Sequence, residues 1–336
     1  MLNFYNILIL AFCGFGMADI FGPISDHFVN HLNKKPKRND NLIRQIKATG
    51  ETGSFGGKIL AEEKINHTPI IFIHGNSDSA LKHGDNIFQG GWNGLLEYFL
   101  ARDYSLSELY GITYGDRNIM SSFNRKFDCE TLMMHRRFIE SVLQYTKSEK
   151  VNIIAHSMGV SIARKVIQGG IFEFNDEKCD LGANIANSIE TFIALAGANY
   201  GMCPCEAAIS FAACGTKTGF FPGECPSSTC SSQEVSEEMN KCATVKYSQF
   251  LTSLNENQDN KKDAMFVASF WSDDDEVLGK GNMVWGKHTS LVPNSDIKKI
   301  YRGLKHLEMK TLTAADQYNL IRRADAIEKE LEANTI

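Results

Sequence analysis

The chain has 336 residues and a net charge of −5, and its 43% apolar share is enough for a large core, which excludes a disordered polypeptide. Seven Pro and 27 Gly without a period exclude collagen-like material. The mildly acidic balance argues against nucleic acid as a partner, since that normally shows as a basic domain.

In chain order, residues 1–18 (MLNFYNILILAFCGFGMA) read as a signal peptide: an apolar stretch followed by Gly16 and Ala18 at −3 and −1 of a cleavage site. Without Lys or Arg in the first six residues, an uncleaved anchor is the alternative. The apolar run 7–18 is shorter than the roughly 20 residues a transmembrane helix needs. The mature chain, 19–336, is therefore expected to be secreted and extracellular. Its eight cysteines, six of them crowded into 203–242, fit a disulfide framework in an oxidising compartment. A zinc site on Cys203, Cys205, Cys225 and Cys230 is the competing reading, although a paired CxxC spacing is lacking.

Residues 19–52 are largely polar, and KKPKR at 34–38 reads as a solvated loop. GSFGGK at 53–58 has Thr52 and Ile59 where a phosphate loop needs Gly and Ser or Thr, so it reads as a glycine turn. A single sequon, Asn66-His67-Thr68, offers a glycan site. From Pro69 onward, short β-branched runs alternate with amphipathic ones. Strands are expected at 70–73, 109–113, 151–154, 191–195, 265–271 and 299–301, and helices at 94–102, 131–145, 160–168, 247–254 and 313–331. This is the α/β class with a mostly parallel sheet flanked by helices. The alternation breaks only at 198–245, which reads as a disulfide-rich, cap-like insertion in a single domain.

One strand end carries chemistry. Val151 begins an apolar strand, AHSMG comes next, and VSIARKVIQ is patterned as a helix. Strand, tight turn and helix with Ser157 at the tip make a nucleophile elbow, where Ala155 and Gly159 keep bulk out of a crowded turn. Attack by such a serine on an ester builds an oxyanion that fixed N–H donors must meet. Met158 supplies one backbone donor; Asn76, in the loop IIFIHGNSD after the first central strand, supplies the other. The acid should come after a late strand, where Asp273, Asp274 and Asp275 stand, and the base should come after the last strand, where His306 stands. His306 would take the serine proton and return it to the leaving alcohol, with the carboxylate fixing its tautomer. His74, at a strand end well before the serine, is expected to be structural. His156 is expected to point away from the turn, and His288 is the remaining alternative base. No metal site and no cofactor is indicated.

The strings SFGGK, PIIFIHGNSDSAL, SELYGITYGDRN, KVNIIAHSMGVSIARKVIQGG, ALAGANYGMCPC, FFPG, VWGKHTS and TAADQY resemble the class 2 lipases of the α/β-hydrolase superfamily, in the secreted nematode-type form. The resemblance implies a carboxylic ester hydrolase acting on lipid esters, with a lipid–water interface as a place of action. Its pattern of Ser, two residues, then Asp selects Asp275 through Ser272, and His306 fits the base position. Lys305 departs from the family in placing a cation beside that base, which would disfavour the imidazolium. Phe211, Phe220 and Phe221 in the insertion would either rim an acyl pocket or fill the insertion's own core. Two other functions use the same fold: a non-catalytic lipid-binding protein, and an acyltransferase.

Overall fold

The computed structural model describes residues 21–174, 177–225, 229–232, 245–256 and 261–333. The leader expected at 1–18 lies outside them. Among the described residues seven strands form the central sheet, in the order β1-β3-β2-β4-β7-β8-β11. They are β1 (Ser54–Phe55), β2 (Ile70–Ile73), β3 (Leu109–Ile112), β4 (Val151–His156), β7 (Ile189–Leu195), β8 (Phe266–Ser272) and β11 (Ile297–Tyr301). Two hairpins lie outside the sheet, β5 (Ile171–Phe174) with β6 (Glu177–Asp180) and β9 (Met283–Val284) with β10 (Lys287–His288). Only β1 runs antiparallel to its neighbour; β3, β2, β4, β7, β8 and β11 are parallel.

The physical reason is legible in the strands. β2, β3, β4 and β7 are buried along their whole length, as expected of parallel strands covered on both faces. β11, at the sheet edge, shows alternating exposure instead. Helices α3 (Asn93–Leu100), α4 (Cys129–Thr146), α5 (Met158–Gln168), α6 (Gln249–Asn255), α7 (Met309–Leu312) and α8 (Ala314–Ala333) keep to the expected alternation. α4 begins where the Asp128 side chain caps the Thr131 N–H.

Residues 19–52 require a correction. This polar stretch holds α1 (Asp26–Leu32) and α2 (Pro36–Thr49), and α2 begins inside the KKPKR segment expected as a loop. The polar average hides a sparse apolar stripe: Phe28, Leu32 and Leu42 are fully buried, and Val29, Ile43 and Ile46 pack beside them. KKPKR is indeed solvated, but Pro36 opens a helix there, a position where its missing N–H costs nothing. GSFGGK is half strand and half turn. Ser54 and Phe55 form β1, while Gly56 and Gly57 take φ of 110° and 92°.

The cysteines among the described residues are oxidised. Cys129–Cys179, Cys203–Cys230 and Cys205–Cys214 are disulfides, and Cys225 is also disulfide-bonded. The zinc reading therefore fails, because all four of its thiols are consumed. No helix among the described residues is long and apolar enough to cross a membrane.

Candidate active site

The site sits at the carboxyl ends of the strands, where ligands of open α/β sheets bind. β4 ends at His156, and Ser157 turns at φ 55° and ψ −127° directly into α5. That φ is strained for a residue with a Cβ, and the surroundings enforce it. The Ser157 N–H donates to Leu195 O at 2.9 Å, pinning the turn to the end of β7. Gly159 is required because a Cβ there would fall on the carbonyl oxygens of Ile73 and His74; α5 starts against the end of β2.

β8 and β11 deliver the other two residues. Asp275 Oδ1 accepts the N–H groups of Val277 and Leu278, each at 2.9 Å, and Oδ2 accepts His306 Nδ1–H at 2.7 Å. Both side chains are buried. Asp273 and Asp274 do other work: the Asp273 N–H donates to Tyr301 O, and the Asp274 carboxylate accepts the Gly303 N–H. The Lys305 side chain is exposed, so its charge is screened by water, while the His306 N–H donates to Glu276 at 3.0 Å.

Ser157, Met158, Asn76 and His306 line one cavity of about 360 Å³, closed mainly by apolar side chains. One wall is the 3-10 segment Ile119–Asn124, after β3. The other is the disulfide-bonded insertion, whose Phe211 meets Phe123 with ring centroids 5.2 Å apart. Phe220 also lines the cavity, whereas Phe221 is buried and does not line it. A separate small apolar cluster joins Cys225 and Cys230 of the insertion to Val284 and Trp285 at the β9–β10 hairpin. A larger cleft of about 810 Å³, beside Tyr200, Tyr247 and Lys287, is lined by none of these site residues.

The other histidines separate by their hydrogen bonds. His74 is structural as expected: buried, stacked on Tyr114, its Nδ1–H donates to Gly75 O and its Nε2 accepts the Tyr114 N–H. His156 does not point away from the site. Its ring lies 4.7 Å from that of His306, and its Nε2–H donates to His306 O at 3.0 Å. His288 hydrogen-bonds to Gly281 O and does not line the cavity.

Burial holds His156 well below the ordinary imidazole range, helped by the nearby His306 and Lys310. Burial likewise pushes His74 down to about 3 and His135 to about 4. Unfolded imidazoles take up protons near 6.5. On acidification from there toward about 4, the unfolded chain binds more protons than the folded one, and the folded state loses stability. The urea midpoint is accordingly expected to fall between about pH 7 and 4.5, with His135→Leu flattening the slope by about one proton. A midpoint independent of pH over that range would contradict buried neutral imidazoles.

Two ion pairs near the site carry no local signal in the sequence. Asp78 pairs with Lys310, 232 positions away, and Arg125 pairs with Asp116 across the loop after β3. A third, Arg164 with Asp263, is fully buried and also ties Asn199 and Asn255 at the base of the insertion. Such pairs are contacts of the fold, and neither periodicity nor spacing announces them.

The sheet order and the strand–turn–helix around Ser157 define an α/β hydrolase. The chain belongs to the class 2 lipase family: the family description Lipase (class 2) matches residues 67–319, well over half of its length. That places it among carboxylic ester hydrolases. Solved structures similar to it include MGS-MChE2, an alpha/beta hydrolase enzyme from the metagenome of sediments from the lagoon of Mar Chica, Morocco (TM-score 0.41, 14% identity, covering 78% of this chain and 94% of that one). Two others are a Paleococcus ferrophilus monoacylglycerol lipase (TM-score 0.41, 12% identity, 77% and 96%) and the Bacillus subtilis naproxen esterase, carboxylesterase NP (TM-score 0.38, 11% identity, 90% and 99%).

Proposed function

We propose that residues 19–336 form a secreted lipase domain that cleaves acylglycerol esters through an acyl-enzyme on Ser157. The observation that carries this reading is the buried Asp275–His306 hydrogen bond, at 2.7 Å, on the wall of the cavity that Ser157 also lines. With Nδ1–H committed to the carboxylate, Nε2 is the lone-pair nitrogen left to take the serine proton. Ser157 then attacks the ester carbon, and the oxyanion meets the backbone N–H groups of Met158, at the start of α5, and Asn76. His306 returns the proton to the leaving alcohol. Water repeats the sequence to release the fatty acid.

The apolar cavity supports an acyl chain rather than a polar substituent as the group held beside the serine. Of the cavity's lining, Phe123 and Phe211 are exposed (57% and 45%), and Met120, Ile87 and Ile209, each next in the chain to a lining residue, are more than half exposed, which supports work at a lipid–water interface. Secretion is supported by the disulfides, which persist in oxidising compartments.

The test is hydrolysis of p-nitrophenyl esters from acetate to palmitate, soluble and emulsified, with and without added alcohol. Rates rising with chain length and on emulsions are expected. Activity on acetate alone would replace the lipase with a short-chain esterase, ester formation outrunning hydrolysis would indicate an acyltransferase, and no turnover would leave a lipid-binding protein. A double variant Met120→Ser, Phe123→Ser is expected to lose roughly tenfold on emulsions, each exposed apolar side chain contributing about 1.5 kcal/mol or more to interfacial burial, while soluble butyrate turnover stays within about twofold. An equal loss on both substrates would remove the interface from the reading.

A further inference from the structure

The backbone N–H of Asn76 can meet an oxyanion only if the loop after β2 is held still. The loop has no regular structure of its own, and Ser77 within it takes φ 61°, a strained conformation for a residue other than glycine. Something outside the loop must hold it. Its far end is tied by Asp78, whose carboxylate accepts the Gly91 N–H at 3.1 Å and a hydrogen bond from Lys310 Nζ. Its near end is tied by the segment after β3. Asn76 Nδ2 donates to Ser122 O at 2.9 Å, and Arg125 Nη1 reaches both Asn76 Oδ1 at 3.2 Å and Ser77 Oγ at 3.0 Å.

We propose that Arg125 is a positioning residue for the oxyanion donor of the reaction put forward above, on which this inference rests. Three observations separate it from an ordinary surface arginine. Its side chain is only 10% exposed. Its second terminal nitrogen, Nη2, is occupied by Asp116, which fixes the plane of the guanidinium. Gly115, at φ 71°, gives that plane room, since a Cβ there would stand 2.7 Å from Arg125 Cζ. The fork therefore spends its donors on two consecutive residues of the oxyanion loop, and a flat, pre-organised donor set suits that task as a lysine ammonium does not. With Asn76 Oδ1 and Ser77 Oγ held from one side and Asp78 from the other, the Asn76 N–H keeps its aim as charge develops on the substrate oxygen.

The experiment compares Arg125→Met, Arg125→Lys and Arg125→Ala with wild type and Ser157→Ala on a soluble butyrate ester. Deleting an oxyanion donor costs roughly 10²–10³ in kcat. Loosening one is expected to cost roughly 10- to 100-fold in both Arg125→Met and Arg125→Lys, with KM within about twofold and the thermal midpoint little changed. Affinity for a trifluoromethyl ketone, which adds reversibly to the serine and presents the same oxyanion, is expected to fall by the same factor as kcat. Guanidinium chloride at tens of millimolar should restore part of the Arg125→Ala rate, and sodium chloride of equal ionic strength should not. Unchanged kcat in Arg125→Met, or full activity in Arg125→Lys, would overturn the assignment. So would a loss that tracks the thermal midpoint while ketone affinity stays constant. Hydrolysis that survives Ser157→Ala would instead overturn the functional reading, so the two failures are distinct.

Discussion

Ser157→Ala is expected to lower ester hydrolysis by about 10⁴- to 10⁶-fold while the protein folds normally. The side chain makes no capping hydrogen bond at the start of α5, and alanine has the same Cβ at φ 55°, so the turn is no more strained than before. In the proposed reaction the substitution removes the oxygen that would form the acyl bond. The donors proposed for the oxyanion and the cavity are untouched, so some acceleration over water is expected to persist. Burst kinetics with a p-nitrophenyl ester and labelling by a serine-reactive phosphonate provide the measurement. Both signals are expected in wild type and neither in the variant. Residual turnover within tenfold of wild type would place the nucleophile elsewhere.

Asp275→Asn is expected to cost about 10⁴-fold in kcat, with little change in KM. The carboxylate accepts three hydrogen bonds, from Val277, Leu278 and His306. An asparagine keeps one oxygen for the two backbone donors but turns an NH₂ toward His306 Nδ1. The imidazole then becomes an acceptor at Nδ1 and carries its proton on Nε2, where a general base needs a lone pair. The loss is thus one of tautomer and of imidazolium stabilisation rather than of shape, and a retained thermal midpoint is the control. Asp274→Asn, which alters only the contact to Gly303, is expected to stay within a few fold of wild type. If Asp274→Asn were the damaging variant, the acid would be reassigned.

Much of this arrangement can be read from the sequence because parallel strands leave a strong local trace. β2, β4 and β7 are short β-branched runs buried on both faces, and each expected position falls within a few residues of the observed one. Ser157 is legible because a strand, a tight turn and a helix must succeed one another within a few residues. Asp275 and His306 are legible through their order in the chain and their positions beyond the ends of β8 and β11. α1 and α2 are not, since lysines and asparagines outnumber the buried Phe28, Leu32 and Leu42 that anchor them. His156 departs from expectation for a different reason. Its place beside the nucleophile says nothing about the His306 carbonyl, 150 positions later, that its ring nitrogen finds. The wall formed by Ile119 and Phe123 is equally silent, because a 3-10 segment has too little periodicity to stand out.

The two walls of the cavity differ in how they are fastened. On one side Cys205–Cys214 closes a loop across nine positions and Cys203–Cys230 across 27, so the Phe211 wall moves only as a stapled block. On the other, residues 118–125 are held to Asn76 and Ser77 by hydrogen bonds and by no covalent staple. Accommodation of a bulkier or more branched acyl group therefore falls on one side alone. The unstapled wall is also the one fastened to Asn76 and Ser77 of the loop proposed to hold the oxyanion, so a chain that forces it outward is expected to drag that loop with it. Misfit substrates would then be rejected in turnover rate more than in binding.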